Sequence, residues 1–206
     1  LLIKIQLINQ KKIKNFKKRN YIIPKYTSKI LLEETKLFST WYIDKKLTSF
    51  QKIKFEKKFI KVVKLLIKKL HLKNNIFVHR DFHISNLMLV KNKIGVIDNQ
   101  DALIGNKAYD LASLIDDVRF QTPNNFKKKL FNYYIKFQKK INIEEFTSDF
   151  EIMSVLRNLK IIGIFTRLAV RDKKKKYLKF IPYTWSLIEL RSKNNDKFKN
   201  LNDLLN

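Results

Sequence analysis

Residues 78–90 read VHRDFHISNLMLV and residues 94–101 read IGVIDNQD, and these two segments are the most informative part of the sequence. The first contains His79-Arg80-Asp81, with Asn86 five places after the aspartate. An apolar run follows and ends in Asp98, twelve residues after Asn86. Mg²⁺ binds oxygen ligands, and both Asp and Asn side chains offer them. The two segments therefore supply one carboxylate in a loop and a separate pair of oxygen donors.

Two short strands are predicted directly after this loop, at Leu87–Val90 and Ile94–Ile97. Lys91-Asn92-Lys93 lies between them and suits a three-residue hairpin connection. One hairpin would hold Asn86 at its entrance and Asp98 at its exit, so that both side chains could reach one ion.

His-Arg-Asp followed by four residues and an Asn is typical of the catalytic loop of kinases. Asp81 is accordingly the candidate general base, which would accept the proton of an acceptor hydroxyl beside metal-bound phosphate. Asn86 and Asp98 are the candidate ligands of the cofactor Mg²⁺, which the phosphates of a nucleotide would also coordinate. Each residue also has a structural explanation, Asp81 as a loop cap and the other two as turn residues.

Five further residues are predicted to support this loop or to lie just behind its ligands: His79, Arg80, His83, Asp101 and Asp110. His79 would pack under the loop and hydrogen bond to the backbone, and His83 would orient the loop or approach phosphate. Asp101 could position a metal-bound water or the substrate. Asp110 begins a helix-like run, where a carboxylate suits the helix dipole, and would brace the loop by hydrogen bonds.

The composition is that of a folded domain, because 206 residues with 45% hydrophobic and 13% aromatic content suffice for a core. The chain contains no cysteine, which excludes disulfides, thiolate metal sites and a thiol nucleophile. No apolar stretch approaches the length of a membrane span and no signal-peptide pattern is present, so we expect a cytoplasmic protein without membrane contact. The net charge is +27, but the basic residues are spread along the chain. We therefore expect no dedicated nucleic-acid binding.

Most of the remaining chain is predicted to be helical from its 3.6-residue apolar periodicity. The predicted helices are 1–20, 28–42, 49–70, 107–117, 123–140, 148–170 and 183–192. Between them we predict a short strand at 76–78, a basic loop at 173–176 and a polar, frayed tail at 194–206. Asp116 and Asp117, near the end of the helix 107–117, are predicted to be solvated. The predicted fold class is mostly α with a small β-hairpin (α+β).

A complete kinase-like site also needs a glycine-rich loop over the phosphates and a Lys–Glu ion pair. The 78 residues before His79 contain no glycine, and their pattern is helical rather than strand-rich. The first residue is Leu1 rather than Met. We therefore expect residues 1–206 to form the C-terminal helical lobe of a protein-kinase-like fold without its N-terminal β-rich lobe. Such a fragment is expected to be inactive alone.

The chain resembles the aminoglycoside phosphotransferase-like family, and within it the bacterial kinases that phosphorylate N-acetylmuramate and N-acetylglucosamine at the anomeric hydroxyl. The resemblance rests on VHRDFH (78–83) with Asn86-Leu87, on GVIDNQDA (95–102) and on AYDLASL (108–114). It continues in RNLKIIGIF (157–165) and in Ile181-Pro182 with Trp185. Asn99 departs from the family pattern, which usually has an aromatic residue after the metal-binding aspartate.

This resemblance implies an ATP-dependent phosphotransferase with Asp81 as the base and Asn86 and Asp98 as Mg²⁺ ligands. The implied acceptor is an amino sugar, and the implied product is a sugar 1-phosphate that feeds cell-wall recycling. Arg157, Asn158 and Arg167 are candidates for the acceptor side of the site. Helix packing or salt bridges would explain these three residues equally well.

Three other functions remain open from the sequence. An aminoglycoside or amino-alcohol kinase would use the same loop, with an acidic acceptor subsite that a basic chain does not favour. A non-catalytic binding module would fit a chain without a nucleotide-clamping lobe, and an RNA-associated protein would fit the net charge. The sequence does not indicate an oligomeric state.

Overall fold

The computed structural model describes residues 1–9, 12–14, 17–45 and 47–206. Within these ranges the fold is mostly helical and contains three pairs of short antiparallel strands. The predicted mostly-α class with a small β component is therefore confirmed.

The elements have the following bounds in chain order. The α-helices are α1 (Leu2–Gln6), α2 (Ser28–Leu37), α3 (Ser49–Lys68), α4 (Ala108–Ile115), α5 (Asn124–Lys136), α6 (Ile143–Val170), α7 (Ile181–Ser192) and α8 (Lys199–Leu205). The strands are β1 (Lys12–Lys14), β2 (Asn20–Ile22), β3 (Ile76–Val78), β4 (Leu87–Val90), β5 (Lys93–Val96) and β6 (Leu103–Gly105). A π-helical turn covers Phe38–Tyr42, and 3₁₀ segments cover Ile43–Lys45, Ile84–Asn86, Lys175–Phe180 and Asp196–Phe198.

The chain divides into two compact units. The first, which we call the loop unit, consists of Leu1–Thr27 and His71–Phe150. The second, which we call the helical unit, consists of Ser28–Leu70 and Glu151–Asn206. Each of these units has buried apolar side chains of its own. The expectation that residues 1–206 form one C-terminal lobe of a kinase-like fold stays a prediction.

The pair of strands β3 and β6 leads the loop unit into residues 79–86. Val78 pairs with Leu103 in an antiparallel register. The Tyr26 amide donates to the Ile104 carbonyl oxygen at 2.8 Å, so the segment before α2 lies along β6. A Cβ atom on Gly105 would lie 3.1 Å from the Tyr26 Cβ atom, which explains the glycine at this position. The short strand predicted at 76–78 is present, with Val78 fully buried, and its end positions the loop.

Strands β4 and β5 form the predicted hairpin, with Leu87 opposite Val96 and Val90 opposite Lys93. The connection consists of two residues, Lys91 and Asn92, whose φ angles are 45° and 59°. Two positive φ angles are typical of the tight turns that suit the twist of hairpin strands. The predicted three-residue connection is therefore wrong by one residue, because Lys93 belongs to the strand ladder.

This hairpin is apolar and largely exposed. Residue exposure ranges from 47% to 75% for Met88, Leu89, Val90, Ile94 and Ile97. An antiparallel hairpin in a globular protein commonly buries one face. Here neither strand has a fully buried residue.

Helix α3 is the amphipathic helix that its periodicity predicted. It begins with a capping box, in which the Thr48 hydroxyl accepts from the Gln51 amide and the Gln51 side chain accepts from the Thr48 amide. Phe59, Val63 and Leu66 are buried on one face, while the lysines line the opposite, solvated face. The helix ends two residues earlier than predicted.

Helix α6 packs closely on the end of α2 within the helical unit. A Cβ atom on Gly163 would lie 2.3 Å from the carbonyl carbon and oxygen of Leu37 and 2.6 Å from the Phe38 nitrogen. Only a residue without a side chain allows this approach. Phe38 is fully buried and packs edge-on against Trp185, with ring centroids 5.7 Å apart.

The predicted helix at residues 1–20 is wrong. Helix α1 ends at Gln6, and β1 pairs with β2 in antiparallel register. Gln10, Lys11, Asn15 and Phe16, which the prediction included, lie outside the described residues. Gln6 instead anchors this segment through its side chain. The side-chain nitrogen donates to the Lys107 carbonyl oxygen at 3.0 Å, and the side-chain oxygen accepts from the Tyr134 hydroxyl at 2.6 Å. Burial raises the pKa of Tyr134.

Several later boundaries also differ from the prediction. Helix α5 ends at Lys136 rather than Lys140, and Pro123 is its N-cap rather than its first residue. Helix α6 begins at Ile143, because the Asn142 side chain accepts from the amides of the first turn. Part of the predicted basic loop is 3₁₀-helical from Lys175 onward.

The terminal segment is folded where we expected a polar, frayed tail. Helix α8 follows a 3₁₀ turn, and Phe198 and Leu201 are fully buried. The Asn202 amide donates to the Ser192 carbonyl at 2.7 Å. Across the described ranges, no helix combines the length and the apolar character needed to cross a membrane.

Candidate active site

The loop between β3 and β4 presents the Asp81 carboxylate. Arg80 has a φ of 73°, so the chain reverses direction immediately before Asp81. The His83 amide donates to the Asp81 carbonyl oxygen at 3.0 Å, which tightens the loop after it. Asp81 is half-buried, and no described residue hydrogen bonds to its carboxylate. The carboxylate is therefore available to accept a proton from an incoming hydroxyl group.

Asn86 lies beside Asp81 and at the entrance of the hairpin. Its side-chain amide nitrogen donates to the Asp81 carbonyl oxygen at 2.9 Å, which leaves the amide oxygen facing away from that bond. The Ile97 amide donates to the Asn86 carbonyl oxygen at 3.1 Å, so the ladder continues one step beyond the strands. Asp98 follows directly, in the left-handed region with a φ of 71°. Asn86 and Asp98 thus occupy the same end of the hairpin.

These two side chains have the donor chemistry of a magnesium site. The Gln100 amide donates to one Asp98 carboxylate oxygen at 2.7 Å, and the second oxygen is left for another partner. Among the described residues, no cluster of three or more His, Cys, Asp or Glu side chains could hold a metal ion. Mg²⁺ commonly takes one or two protein oxygens and fills its other positions with phosphate and water. Asn86 and Asp98 fit that pattern.

Asp110, at the start of α4, holds the first part of the loop. Its carboxylate accepts from the His79 amide at 2.7 Å and from the Arg80 amide at 3.0 Å. Asp110 is fully buried, and without it both amides would lack these charge-assisted hydrogen bonds. The helix and the loop are therefore tied together just before Asp81.

Asp116 and Asp117 are fully buried, so the prediction that they are solvated is wrong. Asp116 forms an ion pair with the buried Lys127 at 3.1 Å, and the same ammonium group donates to the Ile115 carbonyl oxygen. Asp117 accepts from the Ile84 amide at 3.1 Å and from the Arg119 amide at 3.0 Å. Asp117 therefore contacts the loop between β3 and β4 (residues 79–86), whereas the Asp116 ion pair connects α4 with α5.

His79 and His83 are both buried in the loop unit. The His79 ring packs edge-on against Phe82, with centroids 6.1 Å apart. Its two ring nitrogens have no hydrogen-bond partner among the described residues, so the expected bond from the ring to the backbone is not present there. Arg80 donates to the Asp101 carbonyl oxygen at 3.1 Å. Asp101 thus meets Arg80 through its backbone, and its own side chain is exposed.

Arg157, Asn158 and Arg167 lie on α6 within the helical unit. Arg157 is 4% exposed and Asn158 is fully buried. The Asn158 amide donates to the Ser154 hydroxyl one turn earlier, at 3.4 Å. For these two residues, burial favours the packing role that the sequence had left open.

The sequence analysis missed two carboxylates that organise the loop unit, Asp117 and Asp149. Asp149 is fully buried and accepts from the backbone amides of His71 and Leu72, both at 2.9 Å, and from the Asn106 side chain at 2.6 Å. It fixes the turn before β3 and the segment before α4. A carboxylate inside an amphipathic helix pattern, as at position 149, was the only available signal.

The helical unit contains a cavity of about 640 Å³. Phe38, Tyr42, Phe55 and Trp185 form its aromatic wall. The Trp185 indole donates to the Tyr42 hydroxyl at 3.1 Å. None of the site residues predicted from the sequence is among the described residues that line this cavity.

An open carboxylate in a loop, followed by an amide–carboxylate pair at one end of a hairpin, is typical of phosphotransferases. The sequence matches the model of the phosphotransferase enzyme family (APH) over residues 12–145. The chain therefore belongs to this family, and the resemblance stated from the motif is confirmed.

Three similar proteins carry the name N-acetylmuramate/N-acetylglucosamine kinase. The one from Neisseria meningitidis is 36% identical over 170 residues, which are 80% of this chain and 51% of that protein. The one from Pseudomonas aeruginosa is 31% identical over 190 residues, or 89% and 56% of the two chains. The one from Pseudomonas putida is 32% identical over 176 residues, or 81% and 51%. The chain spans about half the length of the curated relatives it matches.

Proposed function

We propose that this chain carries the base and the metal ligands of an ATP-dependent kinase whose acceptor is an amino sugar. The proposal is carried by the Asp81 carboxylate, which has no hydrogen-bond partner among the described residues, and by Asn86 and Asp98 at one end of the adjoining hairpin. The names of the similar proteins support N-acetylmuramate and N-acetylglucosamine as acceptors. We further propose the anomeric hydroxyl as the site of transfer, with a sugar 1-phosphate for cell-wall recycling as the product. Because ATP would be the donor, we propose the cytoplasm as the place of the reaction.

Each residue of the loop would have a distinct part in this reaction. Asp81 would accept the proton of the acceptor hydroxyl as that oxygen bonds to phosphorus. Asn86 and Asp98 would hold Mg²⁺, which when bound would neutralise charge on the phosphates of ATP. Asp110 would keep the loop in the conformation that exposes Asp81, through the amides of His79 and Arg80.

Residues 1–206 supply only part of what such a reaction requires. A kinase also needs a segment that covers the phosphates of the nucleotide, often rich in glycine. The three glycines of this sequence are Gly95, Gly105 and Gly163, and all follow the loop. We therefore propose that residues 1–206 alone bind ATP weakly and have no substantial kinase activity.

The test is a transfer assay on the complete natural polypeptide that contains these residues. Purified protein would be incubated with Mg²⁺–ATP and N-acetylmuramate, N-acetylglucosamine, an aminoglycoside or choline, and the products would be identified by ³¹P NMR. We expect an anomeric phosphate signal from the two amino sugars only. Phosphorylation of the aminoglycoside or choline in their place would overturn the proposed acceptor, and transfer to none of the four would overturn the proposed kinase.

A further inference from the structure

Asp117 is a buried carboxylate that the proposed chemistry does not use. It lies two residues after the end of α4 and is fully buried. One carboxylate oxygen accepts from the Arg119 amide at 3.0 Å, which fixes the turn that carries Asp117 itself. The other oxygen accepts from the Ile84 amide at 3.1 Å. Ile84 lies 33 residues earlier in the chain, in the loop between β3 and β4. Asp117 therefore joins two segments that are distant in sequence.

The backbone amide that donates a hydrogen bond to Asp117 belongs to the short 3₁₀ turn Ile84–Asn86. Ile84 is the first residue of this turn, and its N-cap residue, His83, makes no side-chain capping bond. The amides at the beginning of a helical turn need acceptors from outside the turn. Asp117 supplies such an acceptor from another element, with a charged oxygen, which makes a stronger bond than a neutral cap.

The orientation of Asn86 depends on this turn. The Asn86 backbone nitrogen donates to the His83 carbonyl oxygen at 2.9 Å, which closes the turn. The Asn86 side-chain nitrogen donates to the Asp81 carbonyl oxygen, which leaves the side-chain oxygen outside that bond. A shift of Ile84 would therefore move the amide oxygen that we assign to Mg²⁺.

We propose that Asp117 is a positioning residue for the metal site, which sets the affinity for the divalent cation by holding the Ile84–Asn86 turn. This inference rests on the proposed function, because it assigns Asn86 as a metal ligand. Residues that orient metal ligands typically change metal affinity by about 10- to 100-fold when they are replaced. Asp110 holds the loop before Asp81, and Asp117 holds it before Asn86.

The neighbouring Asp116 provides a matched control. It is as buried as Asp117 and lies one residue earlier, but its ion pair with Lys127 joins α4 to α5. Asp116→Asn removes a buried charge from the same turn of chain, and it leaves the Ile84 amide bonded to Asp117. The two variants therefore separate loss of stability from loss of loop positioning.

The experiment compares Asp117→Asn, Asp116→Asn and Asn86→Ala in the complete natural protein. Mn²⁺ would be titrated in the presence of ATP and followed by water proton relaxation, and hydrogen exchange would report the amides of residues 79–86. An asparagine at position 117 can accept only one of the two amide bonds. We expect Asp117→Asn to raise the dissociation constant of Mn²⁺ roughly tenfold and to accelerate exchange at Ile84 and Asn86. Asp116→Asn should lower the unfolding temperature with unchanged Mn²⁺ affinity.

Unchanged Mn²⁺ affinity in Asp117→Asn, together with weakened affinity in Asn86→Ala, would overturn the positioning role and leave the proposed metal site in place. Weakened affinity in Asp116→Asn by the same factor would also overturn it, because general loss of stability would then explain both variants. Failure of the unmodified protein to bind Mn²⁺–ATP would instead count against the proposed function.

Discussion

Three aspartates of the loop unit contact the same eight-residue loop or belong to it, and their surroundings separate their roles. Asp81 is half-buried and its carboxylate has no hydrogen-bond donor among the described residues. Asp110 and Asp117 are fully buried, and each accepts two backbone amides. A carboxylate whose acceptor sites are occupied by fixed amides serves to position the backbone. Of the three, Asp81 is therefore the residue that we propose as the proton acceptor.

Replacing Asp81 by asparagine tests its proposed role as the general base. In the complete protein we expect kcat for sugar phosphorylation to fall by roughly 100-fold or more, because an amide cannot accept the hydroxyl proton. The unfolding temperature should stay close to that of the unmodified protein, since the carboxylate makes no hydrogen bond in the described part of the chain. Asp203→Asn, on the exposed side of α8, is the control and should leave the rate unchanged. Full activity in Asp81→Asn would remove this residue from the mechanism.

Replacing Asp110 by alanine should act on stability first. The amides of His79 and Arg80 would lose their shared acceptor inside the protein, which should cost about 2–5 kcal/mol of unfolding free energy. Urea denaturation measures this loss. Asp110→Asn retains one acceptor oxygen and should lose less. Equal stability of Asp110→Ala and the unmodified chain would show that water replaces the carboxylate at these amides.

The loop motif and the bracing of the loop by Asp110 could be predicted from the sequence, whereas the contacts of Asp116, Asp117 and Asp149 could not. Asp81, Asn86 and Asp98 occur at a spacing that kinases share. The loop and the hairpin that carry them form from residues that are close together in the sequence, so the pattern could be recognised there. Asp116 and Asp117 are adjacent aspartates with similar local surroundings, and only tertiary contacts give one of them Lys127 and the other Ile84. The same reason explains why Asp149 was missed.

At the scale of elements, helices with a sustained apolar stripe were predicted within a few residues. Helix α3 is an example, because its buried residues, from Phe59 to Ile67, recur on one face. The failure at residues 1–20 has a physical cause. Apolar residues alternate with lysines there, which fits a strand about as well as a helix, and tertiary bonds from Gln6 decide where α1 ends.

Gly163 provides a test of how closely the elements of the helical unit pack. Gly163→Ala would place a methyl group 2.3 Å from the Leu37 backbone, so α6 or α2 must shift. We expect a loss of more than about 3 kcal/mol of unfolding free energy, measured by urea denaturation. Gly95→Ala is the matched control, because its added methyl group would lie 3.8 Å from the nearest atom, the Met88 carbonyl oxygen. Similar stability of the two variants would contradict the packing described for α6.

For the whole molecule, the dominant property is the net charge of +27. The exposed face of α3 alone carries Lys57, Lys61, Lys64 and Lys68, while Lys127 is buried in an ion pair. Charge of this kind attracts polyanions without any specific site. The charge therefore has a consequence for binding experiments that is separate from the proposed function.

We expect the chain to bind RNA weakly, without sequence preference, and only at low ionic strength. Filter binding should detect complexes near 50 mM salt and lose them by about 200 mM, because binding through phosphate contacts falls steeply with salt. Unrelated RNA sequences of equal length are the control and should bind equally. Retention of one RNA sequence at the higher salt concentration would contradict the prediction that the protein has no dedicated nucleic-acid site.

The exposed hairpin has a practical consequence for anyone who produces these 206 residues. Leu89 is 75% exposed, and Ile94 and Val90 are more than half exposed on short strands that, among the described residues, pair only with each other. Accessible apolar strands promote aggregation and poor yield. Recombinant material should therefore precipitate on concentration. Changing Leu89 and Ile94 to lysine should improve recovery without affecting the helices, which would make crystallisation or NMR assignment of this polypeptide feasible.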